Sequence, residues 1–371
     1  MVDSLMTGGS SIPRDAPDLL RLDQLPGVGP VTVRKLVEYY GSAARALEAP
    51  AGTFSRIAGT NAARARSDVN LHRRVEGALR RAERIGVRVL TWNCPEYPDS
   101  LRHLSDPPPV LFLRGRMGLL ARAGTVTVVG ARRATERARD LAERLGVSLA
   151  RSGVVVASGL ALGIDGAVHS GVLRVGGEAI GVLGTGPDVI YPRAHRALFE
   201  RIVQRGLVVS EFLPGTGAAP YHFPRRNRIL AALASSVVVV EAGRRSGSLI
   251  TVDHALDIGR DVWVVPGPIE ASTCAGSNRL LGEGARPLLA IADFVEAVTG
   301  EGSRGLLERR EAPGTGPEMR ILAVLAGDAL LADELAARAG LPVATALAVL
   351  TTMELHGEVE RMPGMRFRRA A

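Results

Sequence analysis

Four short stretches gather the groups that bind phosphate. In Gly130-Ala131-Arg132-Arg133-Ala134-Thr135 a strand-like run gives way to a helical pattern, so backbone N–H groups at a helix start and the Arg132 guanidinium are available to one anion. Ser158-Gly159-Leu160-Ala161-Leu162-Gly163-Ile164-Asp165-Gly166 reads either as an anion nest of backbone N–H groups or as a tight turn. Tyr221-His222-Phe223-Pro224-Arg225-Arg226-Asn227-Arg228 sets three arginines and an asparagine at a helix start behind aromatics. The arginines suit phosphates, and Tyr221 or Phe223 suits stacking on a base, worth ~1–3 kcal/mol per base. A solvated face is the alternative for this cluster, and its bunching with aromatics favours binding. The fourth stretch, Glu241-Ala242-Gly243-Arg244-Arg245-Ser246-Gly247-Ser248, again puts arginines and hydroxyls before a helix, where Ser246 or Ser248 also suits a simple cap.

Other chemistries are poorly supported. Lys35 is the one lysine among 46 basic side chains, and Val33-Arg34-Lys35-Leu36 is no P-loop; a lysine Schiff base has that position alone. Arginine stays protonated and grips phosphate bidentately, which favours binding over proton transfer. A dinucleotide fingerprint needs glycine where Arg132 stands, and Val156-Ala157-Ser158-Gly159 has no acidic residue to hold a ribose, so NAD is not expected. Neither Ser246 nor Ser248 lies in a G-x-S-x-G elbow. Asp165 and His169 stand four apart on a helix and can touch, as a catalytic pair or, more simply, as a structural contact. Cys94 and Cys274 are too few for a disulfide framework or a cysteine-rich zinc site, which fits a reducing compartment.

The frame for these loops is an alternating pattern in the middle of the chain. Apolar runs of strand composition at 125–129, 154–157, 179–183, 207–209, 237–240 and 262–265 alternate with helical patterns at about 136–151, 165–175, 194–205, 226–234 and 248–259. Val-rich runs joined by helical crossovers predict an α/β fold with an extended Rossmann-like parallel sheet. Ligands on such sheets sit at the carboxyl ends of the strands, where the four stretches fall.

The chain's 371 residues exceed the ~250–300 that one core usually fills. Composition shifts predict a helical domain at 1–85, the sheet domain at 86–300, a Gly/Pro/charged linker at 301–316 and a last domain at 317–371. The net charge is +8, from 13 basic against 9 acidic residues in 1–85, 24 against 19 in 86–300, and 9 against 10 in 301–371. The excess therefore lies in the first two segments, as suits a nucleic-acid binder.

In the first segment, Leu25-Pro26-Gly27-Val28-Gly29-Pro30-Val31-Thr32-Val33-Arg34-Lys35-Leu36 has the form of a helix–hairpin–helix. It could bring backbone N–H groups, Arg34 and Lys35 to a phosphate, or simply close a hairpin in a small bundle. The tract of Arg64, Arg66, His72, Arg73, Arg74, Arg80, Arg81 and Arg84 reads as a solvated helix face. The last segment has winged-helix spacing over 331–350, with a wing at 358–369. Its candidate recognition helix, 343–355, has no Arg or Lys, so protein contact or regulation fits better than base reading, although Arg366, Arg368 and Arg369 are near. No apolar run reaches the ~18 residues of a membrane span, and the start lacks the basic and apolar regions of a signal peptide, so the cytoplasm is expected.

Together these loops closely resemble the bacterial DNA-processing protein A family (DprA, also called Smf). The resemblance rests on Tyr97-Pro98, Asp106-Pro107-Pro108, Val129-Gly130-Ala131-Arg132, the 158–165 loop, Tyr191-Pro192, Ser210-Glu211, Phe223-Pro224-Arg225-Arg226-Asn227-Arg228, Glu241-Ala242, Ser246-Gly247-Ser248-Leu249-Ile250-Thr251 and Val265-Pro266-Gly267, across roughly 92–290. It implies a Rossmann-like core that binds single-stranded DNA, with helix-hairpin-helix-like and winged-helix-like domains before and after it. It also implies a homodimer formed through that core, and loading of the RecA recombinase onto incoming strands that single-strand-binding protein would otherwise hold, during natural transformation. Its phosphate loop falls on Gly130, Ala131 and Arg132, with alanine where the family has a hydroxyl; a basic position falls on Arg193. Arg137-Ala138 stand where the family commonly has Tyr-Gly. The implied phosphate contacts are Arg132, Arg193, Arg225 and Arg228, with Arg226, Asn227, Ser158, Gly159, Ser246, Gly247 and Ser248 around them and Phe223 or Tyr221 stacking. No catalytic residue, metal or cofactor is expected. The alternative is a nucleotide-hydrolysing enzyme of phosphoribohydrolase type using Asp165, His169, Glu211 or Glu241, whose P-G-G-x-G-T loop is absent at Pro266-Gly267-Pro268.

Overall fold

A computed structural model describes residues 12–300, 317–325, 329–355, 359–362, 364 and 366–369; the 301–316 linker lies outside them, as do the side chains of 317–319, 344, 355 and 369. Nine strands form one sheet: β1 Arg88–Thr91, β2 Val110–Gly115, β3 Val126–Val129, β4 Val156–Ser158, β5 Ala179–Val182, β6 Leu207–Ser210, β7 Ser236–Val239, β8 Asp261–Val264 and β9 Arg286–Pro287. Their order is β1-β2-β6-β5-β4-β3-β7-β8-β9. From β6 to β9 every pairing is parallel, while β1 and β2 add antiparallel at the β6 edge. Strands β3 to β7 are buried along their whole length because helices cover both faces, which is why they read as unbroken Val-rich runs.

From β3 the chain winds outward through β4 and β5 to β6, then returns to the other side of β3 to lay down β7, β8 and β9. The loops after β3 and β7 therefore separate in opposite directions and leave a crevice between them. The helices that open from these loops are Glu136–Arg151 after β3, Ile164–Arg174 after β4, His222–Leu233 before β7 and Ser248–Asp257 after β7. Helix His222–Leu233 begins four residues earlier than the pattern predicts. Pro224 is no obstacle in its first turn, where backbone N–H groups have no partner inside the helix.

The helical segment is Ala16–Asp23, Pro30–Tyr40, Ala43–Glu48, Ala51–Ala58, Thr60–Ala65 and Val69–Arg84. Its Leu19, Leu36, Phe54 and Leu79 belong to the same hydrophobic core as Leu111 and Phe112 of β2 and Val237 of β7. The described residues up to Thr299 accordingly form one compact unit. The second unit, by itself, has helices Pro317–Val324, Ala332–Ala339 and Val343–Leu355 and a three-stranded sheet of Leu330–Leu331, Arg366–Arg369 and Val359–Met362. Leu335, Leu350 and Phe367 lie in its core. No described helix is long and apolar enough to cross a membrane.

Candidate nucleic-acid interface

The crevice is built by close backbone contact. The Ala131 N–H donates to the Glu241 carbonyl (2.7 Å), joining the loops after β3 and β7. The Glu241 carboxylate accepts from the Thr135 N–H (3.1 Å) and hydroxyl (2.7 Å), and Thr135 in turn caps helix Glu136–Arg151 through the Ala138 N–H (3.2 Å). Gly130 is required, because a Cβ there would lie 2.5 Å from Ile164 Cγ1. Gly163, at φ +79°, lets the neighbouring loop press on the Ala131 carbonyl. Between these loops and helix His222–Leu233 opens a cleft of about 810 Å³, with Arg132, Arg133, Phe223, Arg226, Asn227 and Arg245 among its lining.

One wall of the cleft is a stacked ladder. The exposed Arg132 guanidinium lies over the Phe223 ring at 4.6 Å, and Phe223 meets Tyr191 with centroids 5.5 Å apart and planes at 37°. Phe223 can sit so low because Gly184 beneath it has no side chain; a Cβ there would be 2.7 Å from the ring. Tyr191 is 45% exposed and Tyr221 71%, so aromatic faces meet solvent beside the charge. Arg133, Arg193 and Arg245 are also exposed. Ser246 and Ser248 share a hydroxyl–hydroxyl bond of 2.7 Å, and the Gly247 carbonyl accepts from Asn227 Nδ2 at 3.0 Å, so this loop is tied to helix His222–Leu233.

The 225–228 cluster is organised differently from its expected role. Arg225 and Arg228, three apart, share a helix face and both meet buried Glu211. Arg228 grips Glu211 with two nitrogens (2.7 and 2.8 Å), bonds Asp106, and has a side chain only 1% exposed. It holds the fold, not a free phosphate. Arg225 bonds Glu211 at 2.9 Å and Asp23 of the first helix at 3.2 Å, so its charge is matched twice. Burial alone would raise the Glu211 pKa, but the two guanidiniums outweigh it and hold the carboxyl below its usual range. Arg226 is buried too; it donates to the Gly159 and Val182 carbonyls, and burial pushes its pKa down to about 10, leaving it charged at neutral pH.

The 158–166 loop is a nest, and the anion it holds is its own Asp165. The Asp165 carboxylate accepts from the Gly159 N–H (3.1 Å) and the Ala161 N–H (3.3 Å), and burial raises its pKa. Ser158 is fully buried and donates to the Val128 carbonyl at 2.6 Å. Gly159 makes room for the Arg226 guanidinium, which a Cβ would strike. Ser158 and Gly159 thus support the cleft from beneath. His169 bonds the Ile180 carbonyl (3.3 Å) rather than pairing with Asp165, and burial lowers its pKa to about 4. Arg34, expected to meet phosphate from the hairpin, instead donates to the Arg102 and Leu104 carbonyls at 3.0 and 2.9 Å.

Arg133 and Arg245, both exposed, are not singled out by the sequence within their arginine pairs, because adjacent arginines at one loop look alike until their directions are known. Both line the cleft. Residues 88–299 match the family model described as DNA recombination-mediator protein A, 13–69 that of the DprA-like N-terminal HHH domain and 307–365 that of the DprA winged helix domain. The chain belongs to the DprA/Smf family. Protein Smf of Synechocystis sp. is 31% identical across 94% of this chain and 98% of its own length. DNA processing protein DprA of Streptococcus pneumoniae is 43% identical across 51% of this chain and 67% of its own. The X-ray structure of the S. pneumoniae DprA superposes with a TM-score of 0.64 at 33% identity, covering 75% of this chain and 95% of that one. A Helicobacter pylori DprA structure, described for its single-stranded DNA binding mode, superposes at 0.53 and 28% identity, covering 58% and 96%.

Proposed function

We propose that the protein is a non-catalytic, single-stranded DNA-binding recombination mediator. It takes single strands into the switch-point cleft, keeps them from single-strand-binding protein and passes them to the RecA recombinase, the route by which incoming DNA is recombined in natural transformation. It works in the cytoplasm as a homodimer joined through the sheet domain. The observation that carries the reading is the exposed ladder of Arg132, Phe223 and Tyr191. A guanidinium and aromatic faces side by side suit a phosphate and a base without selecting sequence. Only an unpaired strand can give up a base to such a face. The single-stranded DNA binding described for the H. pylori relative adds weight.

The places of the acids support the non-catalytic reading. Asp165 holds its own loop, Glu211 holds Arg225 and Arg228, and Glu241 holds Thr135, so each carboxylate is already engaged. The test is fluorescence anisotropy with single-stranded and duplex oligonucleotides, for wild type and Arg132→Ala with Phe223→Ala. The expected loss on single strands is about 5- to 150-fold, from ~1–3 kcal/mol of stacking, with an unchanged melting temperature. Equal affinity of the two proteins ends the reading. Release of free base from nucleoside monophosphates would restore the hydrolase alternative.

A further inference from the structure

A second cleft, of about 800 Å³, opens beside the first and shares Arg132 and Arg133 with it. Its floor is the start of helix Ile164–Arg174, where Gly163 and Gly166 leave room for the Ala131 carbonyl and the His195 ring to pack closely. One wall is helix Glu136–Arg151, which contributes Arg139; the other is helix Arg196–Arg205, which contributes Arg201. Both of these arginines are exposed, and Arg201 is steadied by a bond to the Leu173 carbonyl at 2.9 Å. Leu162 also lines this cleft and is 46% exposed. Asp140 and Glu143 are the carboxylates of the cleft, and Glu143 is paired with Arg174 at 2.8 Å. Four arginines therefore face one unmatched carboxylate.

We propose that the second cleft continues the single-strand track, so that a strand leaving Arg132 and Arg133 lays its next phosphates against Arg139 and Arg201 and rests a base on Leu162. The inference depends on the first cleft being a single-strand site. Its own warrant is continuity: Arg132 and Arg133, which line the first cleft, also line the second, so a polyanion held by them is delivered there. An exposed leucine between cations favours an unpaired base over a duplex, whose apolar faces are stacked inside.

The experiment is a length series on the full chain, using fluorescent oligothymidylates of about 4 to about 16 nucleotides, the range of single-strand site sizes. For the wild type, affinity should climb with length beyond what the first cleft alone accounts for. In Arg139→Ala with Arg201→Ala, binding of the shortest bound strand should change by less than about twofold while the gain with length is lost. The slope of log K against log salt for long strands should fall by about 1.4, two phosphate contacts at ~0.7 each. Should loss of the Leu173 bond lower the melting temperature, Arg139→Glu and Leu162→Glu carry the same test at surface positions. Variants that match wild type at every length overturn the inference, as does a wild type that binds short strands with no gain on lengthening. If the wild type binds no single strand at all, the first-cleft reading fails and this one with it.

Discussion

Glu211 keeps its negative charge inside the protein because two guanidiniums reach it, and the same contacts engage Arg225 and Arg228, one helix turn apart, within the fold. Removing one partner of a buried pair leaves the other uncompensated, at a cost of about 3–5 kcal/mol. Arg228→Ala should therefore lower the melting temperature sharply in a thermal melt followed by circular dichroism; an unchanged melt with weakened DNA binding would make Arg228 a phosphate contact after all. Arg132 is the opposite case, exposed and stacked on Phe223. Arg132→Ala should leave the melt unchanged and lower the salt slope of single-strand binding by about 0.7. His169 gives the fold a pH dependence. In the unfolded chain it takes a proton near 6.5, but in the folded chain not until about 4, so stability is full above about 6.5 and is lost as pH falls toward 4. At pH 5 the loss is about 2 kcal/mol, at 1.36 kcal/mol per pH unit. His169→Gln should flatten the melting temperature between pH 7 and 5; an equal decline in both proteins would show that other groups cause it.

At the scale of elements, what was legible in the sequence is what repeats. The Val-rich runs and the helices between them announced the parallel strands β3 to β8 and their crossovers, because burial on both faces leaves a plain apolar signal. Strands β1 and β2 have no crossover helix between them, and β9 is two residues ending in proline, so no such signal marks them. The site was legible as a set of loops, but not as directions. The start of helix His222–Leu233 before Pro224 fixes which way each arginine points, and only Glu211, 14 residues upstream of Arg225 in sequence, tells which of them are neutralised. The helical segment matters here as well. Helix Ala16–Asp23 packs on β1 and β2 and sends Asp23 to Arg225, so the first segment shares both the core and the charge network of the sheet. A fragment of residues 86–300 should consequently expose core leucines, bind a hydrophobic dye and melt without cooperativity. A sharp, wild-type-like melt of that fragment would make the helical segment a separate domain.

For the whole molecule, the placement of charge outweighs its total. The net charge of +8 becomes informative only when Arg132, Arg133, Arg193 and Arg245 are seen to be exposed, while Arg226 and Arg228 are buried and Arg225 is matched. The unit that follows Thr299 has a helix, Val343–Leu355, without a single Arg or Lys, which favours a protein partner over a base. Truncation after residue 299 should therefore change single-strand affinity less than about twofold in an anisotropy titration; a large loss of affinity would place DNA on the second unit. In the proposed binding mode single strands lie in the switch-point cleft against the aromatic ladder. Photo-cross-linking of a bromodeoxyuridine-substituted single strand to the full chain, with the adducts located by mass spectrometry, asks that question directly. Adducts on the peptides that hold Tyr191, Tyr221 or Phe223, abolished by excess unlabelled strand, are the expected result. Adducts confined to other peptides, with none on those three aromatics, would contradict it.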